Sequence, residues 1–170
     1  MTTAERKIRL AQMLLETEDE DTLREIEKAL EEQQEKARQY WEIIHTLDWT
    51  KEGEDEAVLQ PAIQQLSEHS ERFILDFFDW FSEQLYRLDG RTYADASVEE
   101  GEPFSADLFL YARCAVLATG REYYESVRAN PELFPKERYF EALLELPFEA
   151  YRLKTGNPLQ KAPKYIYETG

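Results

Sequence analysis

A single cysteine, Cys114, leaves no intrachain disulfide within these 170 residues. The fold must therefore rest on a hydrophobic core, and such cysteine usage suits a reducing compartment, so a cytoplasmic protein is expected. Histidine is almost as scarce, with only His45 and His69. Zinc needs clustered Cys and His ligands, which this supply does not provide. Glycine numbers only 6. No glycine-rich turn precedes a Lys and a Ser or Thr, and HExxH is absent, which excludes a phosphate loop and the common metalloprotease helix. No apolar run approaches the ~20 residues of a membrane span, and Met1–Asp21 holds no apolar stretch long enough for a signal peptide. Positive charge is also in short supply. Lys and Arg total 20 against 36 Asp and Glu, for a net charge of -16. That surface repels nucleic-acid phosphates and anionic lipid, so neither direct nucleic-acid binding nor membrane attachment is expected. A basic protein partner suits it, and association would be steered electrostatically.

Apolar material is plentiful by contrast. Hydrophobic residues make up 42% and aromatics 13% of the chain, with 3 Trp, 9 Phe and 10 Tyr, enough to build a core. Apolar residues recur at helical spacing throughout, which predicts an all-α fold, a compact multi-helix domain preceded by a helical hairpin arm. The arm is assigned to residues 1–36 and the domain to 37–170. A first helix over Thr3–Glu16 places Ile8, Ala11, Leu14 and Leu15 on one side, and Asp19 or Asp21 caps the next. The second helix carries Leu23, Ile26, Leu30, Ala37, Trp41 (or Tyr40), Ile44 and Leu47. Its polar middle, EEQQEK, predicts either an exposed bridge or a break near Gln33 and Gln34. DWTKEGEDE (48–56) reads as a loop. Pro61 starts or kinks a third helix. ERFILDFFDWFSEQLYRLDG predicts a deeply packed fourth, with Ile74, Phe77, Phe78, Phe81, Leu85 and Leu88 in one stripe and Gly90 as its stop.

RTYADA adds a turn, and SVEEGEPF (97–104) is an acidic connection. Ser105 caps the helix FLYARCAV, which ends at Gly120, and REYYESVRAN supplies another. YFEALLEL and PFEAYRLKTG predict two short helices, the second with Pro147 in its first turn and Gly156 beyond its end. The tail, NPLQKAPKYIYETG, is expected to be extended.

One cation interrupts the most apolar run in the chain. Arg113 has Phe109, Leu110, Val116 and Leu117 as its helical neighbours, so no acid three or four residues away can pair with it. It must snorkel to solvent or meet an acid from another helix, with Asp89, Glu56 and Glu141 as candidates. A structural pin is the simpler reading. The functional one joins Arg113 and Arg121 with Tyr111, Tyr123 and Tyr124 in a pocket for an anion, because arginine with aromatic walls suits carboxylate or phosphate. Cys114 reads as a small core residue. The loop after Asp48 has a calcium-loop flavour, with Glu52, Gly53 and Glu56 at the fifth, sixth and ninth positions. Leu59 stands where a bidentate Glu is required, so no metal is expected.

The stretches YWEIIHTLDW, EDEAVLQP, FLYARCAV with REYYESV, and the closing YRLKTG with YETG together resemble a bacterial family, domain of unknown function family 4240, over about residues 39–170. The resemblance implies a helical fold and carries over no catalytic residue or cofactor. Some members are fused to or encoded beside other modules, which implies regulation or protein interaction. ERKIRLAQMLLETEDEDTLREIEKALEE resembles the short helical segments of small bacterial antitoxin-like proteins. The expected function is thus a non-enzymatic acidic interaction protein, antitoxin- or immunity-like. A small-ligand or anion sensor using the Arg/Tyr pocket is the alternative, and an enzyme with converging carboxylates is a third reading. A homodimer through the arm's apolar faces is a further expectation.

Overall fold

The computed structural model describes residues 1–99 and 101–168, and Thr3 by its backbone alone. Glu100 of the acidic connection and the last two residues of the tail lie outside the described residues. Those described form eight α-helices, three short 3-10 turns and no strand. The helices are α1 (Thr3–Glu16), α2 (Glu20–Ile44), α3 (Asp55–Glu68), α4 (Glu71–Arg87), α5 (Arg91–Ala96), α6 (Ala106–Thr119), α7 (Arg121–Ala129) and α8 (Leu146–Thr155). The chain divides into two compact units, Met1–Gln39 and Tyr40–Gly170.

In the first unit, Thr2 opens α1 with a capping box. Its hydroxyl accepts from the Glu5 amide at 3.2 Å, and the Glu5 carboxylate accepts from the Thr2 amide at 2.6 Å. Asp19 caps α2 by accepting from the Thr22 amide at 3.0 Å. The Thr22 hydroxyl and amide hold the Asp19 carboxyl below the usual carboxylate range. EEQQEK does not break α2, which runs on through it. Strong helix formers dominate that stretch, and exposed pairs such as Lys28 with Glu32 and Arg38 with Glu35 lie at the i,i+3 and i,i+4 spacings that favour a helix.

The second unit is built around α6. Nine of its residues, from Phe109 to Ala118, are buried, as expected of a helix that is apolar on every side. The α4 stripe, Ile74, Phe77, Phe78, Phe81, Leu85 and Leu88, is fully buried. Tyr40 and Trp41, from the last turns of α2, meet it through aromatic edges: Tyr40 lies 5.1 Å from Phe73, and Trp41 lies 5.1 Å from Trp80 at 87°. Helix α8 packs on α3 and α4, with Phe148 set 5.2 Å from Phe78.

Several local expectations need correcting. The loop at 48–56 contains a 3-10 turn, Trp49–Lys51, and α3 already begins at Asp55. Asp55 and Glu56 thus occupy the first turn of α3, where negative charge is stabilised. Pro61 does not start α3. It lies inside α3 on an exposed face, where the carbonyl that loses its partner can be hydrated. Gly90 does not stop α4. That helix ends at Arg87, capped by Leu88, whose amide returns to the Leu85 carbonyl, and Gly90 with extended backbone (φ -145) precedes α5. YFEALLEL gives the 3-10 turn Glu141–Glu145, because the ring of Pro147 would clash with the Leu143 carbonyl in a continuous α-helix.

Candidate functional site

Arg113 is completely buried. Its Nη1 donates to the Leu85 carbonyl at 3.1 Å and its Nη2 to the Tyr167 carbonyl at 2.7 Å. Asp89 Oδ1 lies 3.6 Å from Nη1, and the guanidinium sits 4.7 Å from the centre of the Phe109 ring. Of the three acids expected as partners, Asp89 fills the role. The Leu85 carbonyl belongs to the negative end of α4, which adds a favourable dipole. Burial pushes the Arg113 pKa down, while Asp89 opposes that shift, and the side chain stays charged. One cation thus ties α6 to the end of α4 and to the tail.

Three of the other four residues of the expected Arg/Tyr pocket have separate partners, and the fourth is exposed. Tyr111 donates to Glu141, and that bond raises its pKa. Tyr123 donates to the Leu133 carbonyl at 2.8 Å. Tyr124 is fully buried and donates to the Gln84 carbonyl at 3.0 Å. Arg121 is exposed at the start of α7. Cys114 is buried, and its thiol is pushed far up by burial, so it is a poor nucleophile. Asp48 accepts from the Thr50 amide at 3.1 Å and the Thr50 hydroxyl at 2.5 Å, so the calcium-like loop is a capped turn. Among the described residues, no group of three or more His, Cys, Asp and Glu is placed to hold a metal ion.

A different part of the second unit forms a cleft. The connection from α5 to α6 faces the segment after Phe134, enclosing about 220 Å³. Glu99, Glu102 and Glu137 line it together with Leu108, Phe109 and Tyr139. Lys136 Nζ lies 3.2 Å from Glu99 Oε2 and straps the two walls together. Ser105 accepts from the Leu108 amide at 3.3 Å and fixes the start of α6 at the cleft floor. Glu137 holds a left-handed backbone (φ 56), a conformation that costs a non-glycine residue about 1 kcal/mol. A second groove of about 420 Å³ shares Val98, Glu99 and Glu102 and continues past Asp95 and Phe104. Phe104, Leu108 and Tyr139 all remain about half exposed beside these carboxylates (50%, 45% and 45%).

None of the five residues expected to form an anion pocket lines this cleft. Sequence reasoning passed over the cleft residues because SVEEGEPF reads only as an acidic connection. Lys136 is 37 positions from Glu99, a separation that no periodicity spans. The cleft is also smaller than the ~300–1,000 Å³ common for cofactor and drug-sized ligands.

The model of a family described as protein of unknown function (DUF4240) matches residues 36–153, and the chain belongs to that family. The last three residues of the closing YRLKTG and the whole of YETG fall beyond the matched residues. No curated protein and no solved structure matches the chain.

Proposed function

We propose that this member of the family is a non-enzymatic interaction protein that binds a basic protein partner, in the manner of an antitoxin or immunity protein. The observation that carries the reading is the acid-lined cleft flanked by exposed Phe104, Leu108 and Tyr139, in a chain of net charge -16. Lysine and arginine bury apolar stems while presenting a charged tip, and aromatic rings with adjacent carboxylates suit both parts. Complementary charge on the two partners would raise the association rate and weaken binding as salt rises. The anion-sensor reading draws less support, because Arg113 already donates to two carbonyls and the tyrosine hydroxyls to other groups.

The test compares the tagged wild-type chain with the Glu102→Lys/Glu137→Lys variant in pull-downs from the native host, at low and high salt. A stoichiometric basic partner that high salt releases and the double variant fails to retain supports the reading. A partner held equally by both proteins, or no partner at low salt, overturns it.

A further inference from the structure

The arm helices carry apolar stripes that the arm by itself leaves largely uncovered. In α1, Ile8 is 61% exposed and Leu15 87% exposed, and Leu10, Met13 and Leu14 are exposed as well. In the arm portion of α2, Leu30 is exposed and Leu23 and Ile26 are half-buried. Their spacing is regular. Leu23, Ile26, Leu30, Gln33 and Ala37 alternate steps of three and four, the seam of a left-handed coiled coil. Ala4, Ile8, Ala11 and Leu15 keep the same alternation in α1.

The net charges of the two helices are opposite. Helix α1 carries Arg6, Lys7 and Arg9 against Glu5 and Glu16, so it is net basic within a strongly acidic chain. Residues 20–39 hold seven acids and four bases. Two copies of the chain therefore supply both halves of a matched contact, basic α1 on acidic α2, made twice about a two-fold axis.

We infer that the arm is a self-association element, in which α1 of one copy lies along the residue 20–39 portion of α2 of a second copy. The pairing covers Ile8 and Leu15 with Leu23, Ile26 and Leu30, and sets Lys7, which flanks the α1 stripe, against Glu27, which flanks the α2 stripe. It is independent of the cleft.

Sedimentation equilibrium of the full chain across the micromolar range tests it. The expected mass approaches twice 20.1 kDa with rising concentration. Ile8→Asp/Leu15→Asp is expected to raise the dissociation constant at least ten-fold, and Arg6→Glu/Lys7→Glu/Arg9→Glu to do likewise. Adding Glu27→Lys/Glu31→Lys to the charge-reversed α1 should restore association. Leu153→Asp, at a position 54% exposed in the second unit, should leave it unchanged. Near-UV circular dichroism of Trp41, Trp49 and Trp80 reports that the second unit stays folded in every variant. A mass of 20.1 kDa at all concentrations overturns the inference, as does a dimer that survives the two aspartates. A dimer broken by the aspartates but indifferent to charge reversal overturns the pairing of α1 with α2.

Discussion

Arg113 has no acidic neighbour on its own helix, and its charge is met from three other places: the Leu85 carbonyl, the Tyr167 carbonyl and Asp89. Arg113→Met keeps the stem but strips both carbonyls of a donor and leaves Asp89 without this cation. A loss of about 2–4 kcal/mol in urea unfolding is expected. Arg113→Lys should recover little, since one ammonium cannot reproduce a fork that serves two carbonyls at once. A loss below about 1 kcal/mol for the Met variant would show that the clamp does not hold the fold. Gly120 makes a second residue-scale case. It joins α6 to α7 with φ +111, and a Cβ there would sit 2.9 Å from His45 Nε2. Gly120→Ala should destabilise by about 1–3 kcal/mol through backbone strain together with the clash. Adding His45→Ala should return part of that loss. A double variant no more stable than Gly120→Ala alone would assign the whole cost to the backbone.

Among the elements, α4 was the most legible, because its aromatic and aliphatic stripe repeats over four turns and has one packing solution. Helix α6 was legible through its continuous apolar run, and its cap through Ser105 and Asp107. Ser105→Ala removes the acceptor of the Leu108 amide, and a loss of about 1 kcal/mol is expected in thermal or urea unfolding. Because α6 starts at the cleft floor, the same variant should also loosen the cleft, read as faster amide exchange at Leu108 and Phe109. Exchange there unchanged from wild type would separate the cap from the cleft. Boundaries were less legible. Glycine marks both helix ends and extended linkers, and at Gly90 only the backbone angle distinguishes them. In the same way YFEALLEL has helical composition, and the ring of Pro147 decides how it winds.

For the molecule as a whole, stability should fall at alkaline pH. Burial chiefly, and Asp76 and Asp79 after it, push the Tyr40 hydroxyl up to about 12. Burial pushes Tyr124 up further. In the unfolded chain both ionise near pH ~10. The folded state therefore binds more protons above that pH, and its stability drops as pH rises from about 10 toward 12, by about 1.4 kcal/mol per pH unit for each tyrosine. Below pH ~10 these two groups contribute a constant amount. Urea unfolding at pH 8, 10 and 11 measures this, and Tyr40→Phe should flatten the slope. A midpoint that does not move between pH 8 and 11 would refute it.

The amino-acid sequence by itself determined the helical class, the acidic surface, the stripe of α4 and the continuous apolar run of α6, since each follows from composition or from a period of a few residues. Tertiary structure decided the rest. Choosing Asp89 over Glu56 and Glu141 for Arg113 depends on which helix ends meet, and the Tyr167 carbonyl enters only because the tail returns to α6. The five residues of the expected anion pocket lie close in sequence, yet the polar ends of four of them meet different neighbours and Arg121 is exposed. The cleft forms between segments more than thirty residues apart, and no local pattern records such a meeting.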